Sequence, residues 1–311
     1  GRYTGRTRVL VAASISPDRL LAIRNYCQPV LRIESLVFDA KTGLMDLVDL
    51  EARLGADVAA VYFENPGYLG VLETQAQAIA DLAHAHGALL VVGTDPNSLG
   101  VLAPPSHFGA DIACGDIQTL GNHMNFGGGL GGFIASRDEE KLVMEYPSRL
   151  FGISTTEKPG ERGFGDVAYD RTSFAHREKG REFVGTAAAL HGITAAVYLS
   201  LMGPEGMKAL GVHLLQKAQY LSRKLSAIEG VKAPGLDAPF YKEFVVDFNA
   251  TGRTVAEIND ALLEAGIFGG KDLSGEFPQL GQSALYCVTE LLGQEEIDRF
   301  ITTLAALLGG N

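Results

Sequence analysis

The chain has 311 residues, about twice the size of a common domain, which admits one large α/β unit or two domains. Hydrophobic residues make up 46% and charged residues 20%, which excludes a disordered, fibrous or collagen-like polypeptide. The 37 acidic side chains outnumber 26 basic ones for a formal charge of -11, a balance that argues against nucleic acid as partner, because phosphate backbones are gripped by clustered Lys and Arg.

Gly1 to Arg8 are basic, but the apolar run behind them, Val9 to Ala13, is too short for the core of an export signal. The run of short apolar segments bounded by Gly, Pro, Asp or Ser then predicts strands over Arg8 to Ala13, Ile33 to Phe38, Asp57 to Phe63, Ala88 to Thr94, Asp111 to Cys114 and Gly131 to Ser136. Helical spacing between them predicts helices over Pro17 to Tyr26, Leu47 to Leu54 and Leu72 to His86. Alternating strand and helix favours a mostly parallel sheet covered on both faces. Val184 to Pro204 is uncharged and alanine-rich, interrupted by His191, Gly192, Thr194 and Gly203, and is read as a buried helix rather than a membrane span. Met207 to Ile228 is helical, and Pro234, Gly235 and Pro239 then punctuate a connection. A strand (Glu243 to Phe248), a helix capped by Thr254 (Val255 to Glu264), a strand near Leu285 to Val288 and a helix (Gln294 to Leu308) complete the chain. The expected division is a large α/β domain over 1–229 and a small α+β domain over 230–311.

Three cysteines, Cys27, Cys114 and Cys287, without a CxxC pair, suggest neither a disulfide framework nor a zinc knuckle. Each sits in an apolar run and is expected to be buried and small rather than nucleophilic. A reducing, cytoplasmic compartment fits this usage. No HExxH, GxSxG or Ser-His-Asp spacing occurs, and His84 and His86 are too close on one helix to face the same way.

In open α/β sheets ligands lie outside the carboxyl ends of the strands. There Ala88 to Thr94 runs into Asp95-Pro96-Asn97, and the next strand runs into Asp116-Ile117-Gln118-Thr119, so Asp95 and Gln118 share one crevice if the two strands are neighbours. A carboxylate at that place can pair with a protonated heterocyclic nitrogen, although Asp before Pro is more commonly a helix or turn cap. The glycine-dense run Gly121 to Gly132 contains His123 and Asn125; it matches no phosphate loop, and either a close ligand approach or a structural turn explains it. Arg171, His176, Arg177, Lys179 and Arg181 gather positive charge that is able to hold a carboxylate or phosphate, or is simply a solvated face neutralised by Glu178 and Glu182.

Several strings, in order, resemble one family: Asn65-Pro66-Gly67-Tyr68-Leu69-Gly70-Val71-Leu72-Glu73, Thr94-Asp95-Pro96-Asn97-Ser98-Leu99-Gly100, Pro104-Pro105, Gly109-Ala110-Asp111-Ile112, Phe126-Gly127-Gly128, Arg177-Glu178-Lys179 and Ala196 to Gly206. The family is the glycine cleavage system P-protein, in particular subunit 1 of the two-subunit bacterial and archaeal form. The resemblance implies the aspartate aminotransferase-like fold of pyridoxal phosphate enzymes (fold type I), with a large parallel-sheet domain and a smaller C-terminal one. It implies an oxidoreductase complex that decarboxylates glycine and passes the aminomethyl group to lipoyl H-protein, working with glycine dehydrogenase subunit 2, without nucleic acid or membrane. That chemistry needs a Schiff-base lysine. In subunit 2 it follows the strand matching Asp111 to Cys114; here the matching place holds Gln118, and the next lysine is Lys141. An amide forms no Schiff base, so pyridoxal phosphate is expected on the partner subunit and no catalytic residue on this chain. Asp95, Asn97, Gln118, His123, Asn125 and Arg177 are the candidates for a cofactor-like cleft. The family's N-terminal segment does not precede Gly1, consistent with a fragment, a processed form or one piece of a split polypeptide. The family's Ser-Asn-Ile-Cys portion after Lys179 is lost. A non-catalytic scaffold or regulatory paralogue, or a partner acting on another amino acid, are the alternatives.

Overall fold

The computed structural model describes residues 1–124, 131–166, 168–180 and 188–309. Six strands, β1 (Arg8–Ala12), β2 (Arg32–Leu36), β3 (Val58–Glu64), β4 (Leu89–Gly93), β5 (Ile112–Asp116) and β6 (Gly132–Ser136), form one sheet in the order β2-β1-β3-β4-β5-β6. All pair in parallel except β6, which runs antiparallel to β5. The helices α1 (Pro17–Cys27), α2 (Leu47–Arg53) and α3 (Ala76–Ala85) follow β1, β2 and β3. The near-continuous apolar strands predicted from sequence are buried as a doubly covered sheet requires: Leu10, Val11, Val58, Val61, Leu90 and Val92 are fully enclosed together with Ile79, Ala80 and Ala83 of α3. Burying each Val, Leu or Ile there contributes roughly 1.5–3 kcal/mol before chain entropy is counted.

After β6 come a one-turn helix, α4 (Glu140–Val143), an antiparallel hairpin of β7 (Phe151–Thr155) and β8 (Arg162–Asp166), and a short helix, α5 (Ser173–His176). The long α6 (Ala189–Leu225) breaks at Gly203, whose φ of 58° leaves the helical region just ahead of Pro204. Its second half packs with a three-stranded sheet of β9 (Glu243–Asp247), β10 (Lys271–Asp272) and β11 (Ser283–Cys287), in the order β10-β11-β9, and with α7 (Val255–Glu264) and α8 (Gln294–Gly309). Leu221, Leu225, Phe244, Val246, Phe248, Ile258, Leu262 and Leu304 are the centre of that cluster. Thr254 caps α7 as expected: its hydroxyl accepts from the Glu257 amide at 3.2 Å while the Glu257 carboxylate accepts from the Thr254 amide at 2.8 Å.

Three expectations are corrected. The helix expected buried over Val184 to Pro204 begins, among the described residues, within α6 and turns Leu190, Ile193, Val197 and Leu201 outward; Ala195 faces in, and no element of the described chain covers the larger side chains. The hairpin β7–β8 has no counterpart in the predicted elements, because its Gly, Ser and Thr dilute the apolar signal to Phe151, Ile153 and Phe164, all exposed. Cys287 is exposed, and Cys27 and Cys114 are half-buried, so none is a fully enclosed core thiol. Among the described residues, no helix is long and apolar enough to cross a membrane.

The two sheets meet where the segment after β3 seats the segment before β9. Val71 bridges Phe240, the Leu72 amide donates to the Pro239 carbonyl at 2.8 Å, and Leu69 and Val71 pack with Leu236 and Val245. Gly70 makes this approach possible: its φ is +83°, and a Cβ there would overlap the Glu243 carbonyl oxygen. Gly70→Ala is therefore expected to lower the unfolding free energy by about 2 kcal/mol or more, measured by urea denaturation; an unchanged midpoint contradicts this packing.

Candidate functional site

A cavity of about 280 Å³ opens at the carboxyl ends of β3, β4 and β5, where open α/β sheets place ligands. Its wall is built from Ser16 and Arg19 at the start of α1, Glu64 to Tyr68 after β3, Gly93 to Asp95 after β4, Asp116, Gln118 and Thr119 after β5, and Lys242 and Glu243 entering β9. Because β4 and β5 are hydrogen-bonded neighbours, Asp95 and Gln118 do share one crevice.

Asp95 serves two purposes at once. Its Oδ1 accepts from the Asn97 amide at 3.0 Å, capping the short 3-10 turn Pro96–Gly100, and from the Thr119 hydroxyl at 2.9 Å. Its Oδ2 faces the cavity and accepts from the Lys242 ammonium. Burial pulls the Lys242 ammonium down, but Asp95 more than offsets it and holds the group above the ordinary lysine range. Gln118 lines the cavity, with its amide Nε2 donating to the Asn122 carbonyl at 3.0 Å.

A second ion pair stands opposite. Arg19 donates to Glu64 Oε1 at 2.7 Å, and the Tyr62 hydroxyl donates to the same oxygen at 3.3 Å. Glu64 is buried, and burial pushes its carboxyl up against the pull of Arg19. Glu243 is raised as well, first by burial and then by the negative charges of Asp95 and Glu64. The lining thus sets four carboxyl groups, Glu64, Asp95, Asp116 and Glu243, against two cations, Arg19 and Lys242.

The remaining candidates lie elsewhere. Asn97 is buried beneath the turn that Asp95 caps, and its carbonyl accepts from the Tyr241 hydroxyl at 3.4 Å. His123 and Arg177 are exposed and do not line the cavity, and Asn125 falls outside the described residues. The positive cluster does not gather: Arg171 is buried and donates to the Ser148 carbonyl, His176, Arg177 and Lys179 are exposed, and Arg181 is outside the described residues. Arg19, Glu64, Thr119, Lys242 and Glu243 were not legible as site residues. Glu64 carries a signal, since an acid closes the otherwise apolar strand β3 at its carboxyl end.

The sequence profile described as "Glycine cleavage system P-protein" matches residues 2–304. The chain belongs to the glycine cleavage system P-protein family. It is 34% identical over 304 residues to a "Probable glycine dehydrogenase (decarboxylating) subunit 1" of Staphylothermus marinus, covering 97% of this chain and 64% of that one. It is 38% identical over 303 residues to the protein of the same name from Geobacillus kaustophilus, covering 97% and 65%. The chain thus spans just under two thirds of the length of these P-protein relatives. A crystal structure of glycine decarboxylase (P-protein) of the glycine cleavage system, in inhibitor-bound form, superposes with a TM-score of 0.88 at 32% identity, covering 98% of this chain and 67% of that one. A sphingosine-1-phosphate lyase from Burkholderia pseudomallei, at 17% identity and a TM-score of 0.70 over 99% of this chain and 64% of its own, shares the fold. The P-protein chain therefore has the aspartate aminotransferase-like, type I fold that its motifs imply.

Removing Arg19 leaves the Glu64 carboxylate buried without its counter-ion, so Arg19→Met is expected to destabilise the chain by about 2 kcal/mol at pH 8, a value reduced because Arg19 is partly solvated. The Glu64 carboxyl titrates above its unfolded value, so the folded state takes up its proton first and acidification favours folding. The deficit should narrow from pH 8 to pH 5 in denaturation experiments; a deficit independent of pH rules out Glu64 as the affected group.

Proposed function

We propose that this chain is subunit 1 of a glycine-decarboxylating complex, that it lacks the Schiff-base lysine, and that glycine dehydrogenase subunit 2 carries pyridoxal phosphate. Lipoyl H-protein then accepts the aminomethyl group derived from glycine. Pyridoxal phosphate, where bound, supplies an electron sink for the pair of electrons released with carbon dioxide.

The observation that carries this reading is the state of the cleft. Pyridoxal phosphate asks for a carboxylate free to accept from its ring nitrogen, an amine able to bond its aldehyde, and donors for its phosphate. Here both oxygens of Asp95 are already engaged, by Asn97, Thr119 and Lys242. Gln118 stands at the strand end where the family's lysine belongs, and Lys242, the one lysine among the described lining residues, is held as an ammonium. Among the lining residues carboxyl groups outnumber cations, four to two, a poor setting for a phosphate. The described residues of this cleft do not fit the cofactor, and we derive no catalytic step through it. Asp95, Asn97 and Gln118 are taken to shape the cleft, on a large domain over 1–229 joined to a small one over 230–311.

The outward apolar side chains support a partner. Leu190, Ile193, Val197 and Leu201 recur at helical spacing on α6 and are 71%, 61%, 55% and 83% exposed, more apolar surface than a free-standing helix face ordinarily leaves in water. A sister subunit covering that stripe accounts for it. The alternative of a non-catalytic scaffold explains the internally paired Asp95 and Lys242 equally but gives glycine no route to reaction.

Co-expression tests the proposal. The chain alone is expected to show no glycine–bicarbonate exchange, and exchange should appear when glycine dehydrogenase subunit 2 and lipoyl H-protein are added. Exchange by the chain alone, or its absence from the reconstituted mixture, contradicts the reading.

A further inference from the structure

The carboxylate and the amine of this cleft already hold each other. Asp95 caps the start of the turn after β4 and Lys242 immediately precedes β9, 147 residues apart, so the pair also ties the two sheets together. With Oδ1 taken by the Asn97 amide and the Thr119 hydroxyl, Oδ2 is the oxygen left to meet a cation, and the lysine of the same chain meets it. The Lys242 side chain is only 14% exposed, yet it borders a cavity of about 280 Å³, room for a small organic molecule against the roughly 30 Å³ that a water occupies. The charged groups facing it are Asp95, Glu243 on its own strand, and the Glu64, Arg19 and Asp116 of the opposite wall. A lysine so placed but lacking a counter-ion would be a desolvated amine, which loses its proton readily and becomes nucleophilic.

We propose that Asp95 and Lys242 form a self-occupied cation site: Asp95 draws from this chain's own lysine the positive charge that a ligand would otherwise bring, and thereby keeps Lys242 from capturing aldehydes that enter the cavity. The proposal rests on the reading that this cleft is not the cofactor site of the complex. As an ammonium, Lys242 has no electron pair to donate. Freed of its proton, the amine nitrogen bonds the aldehyde carbon, its two hydrogens leave with the carbonyl oxygen as water, and a carbon–nitrogen double bond remains. Borohydride then adds hydride to that carbon and solvent adds a proton to the nitrogen, leaving a stable secondary amine.

The test compares the wild-type chain with Asp95→Asn, which keeps the size of the side chain and its contacts to Asn97 and Thr119. Each protein is incubated with pyridoxal at pH 8 and reduced with borohydride, and the labelled lysines are mapped by mass spectrometry of peptides. Label on Lys242 is expected to rise about tenfold or more in Asp95→Asn, since each pKa unit lost multiplies the neutral amine tenfold, while label on exposed lysines such as Lys41 stays level. Equal labelling of Lys242 in the two proteins overturns the proposal. If Asp95→Asn does not fold, Lys242→Ala decides: its lowered Tm should recover partly in ethylammonium chloride but not in sodium chloride of equal strength. No selective recovery by ethylammonium also overturns it. The functional reading fails separately, if reduction of the assembled complex fixes its resident cofactor on this chain.

Discussion

One ion pair decides what this cleft is. Asp95 stands where an open α/β sheet presents a carboxylate to a ligand, and Lys242 of the C-terminal sheet spends that carboxylate inside the chain. The pair is largely shielded, with side chains 14% and 20% exposed, so its attraction is less screened than at the surface, while the Asn97 amide and the Thr119 hydroxyl satisfy the other oxygen. The rest of the cleft follows the same logic. Arg19 neutralises Glu64 across the cavity, and the surplus carboxyl groups leave no welcome for an anion.

The backbone makes that pairing possible. Lys242 reaches Asp95 because the strand that follows it lies directly against the turn after β3, and this contact exists because residue 70 has no side chain. A family motif that reads in sequence as Asn-Pro-Gly-Tyr-Leu-Gly is thus, in physical terms, a seat for the C-terminal unit: Leu69 and Val71 point into the shared apolar cluster while Gly70 admits the Glu243 backbone. The type I fold is kept over the matched length, and at its strand ends the carboxylate of Asp95 is paired within this chain.

Much of this was legible from residues alone. Apolar runs located the six strands of the large sheet and β9 and β11 of the small one to within about two residues, leaving out the two-residue β10, and the rule that ligands gather at carboxyl ends places Asp95 and Gln118 together. Both readings of Asp95, turn cap and cleft carboxylate, hold at once because its two oxygens face different ways. Lys242 was not legible, since a lysine just ahead of an apolar strand looks like a solvated strand end, and its partner is 147 residues away. His123 and Arg177 were drawn in by composition, a glycine-dense run and a run of positive charge, yet composition does not say which way a turn faces. The apolar stripe of α6 misled in the opposite sense: its spacing is that of a buried helix, but among the described residues of this chain nothing covers it.

The most direct measurement is a crystal structure of the reconstituted complex prepared with pyridoxal phosphate. The account predicts continuous density for the Lys242–Asp95 pair in this subunit, with cofactor density confined to the sister subunit. Cofactor density within this cleft, with Lys242 turned away and Asp95 against the pyridine nitrogen, would contradict it.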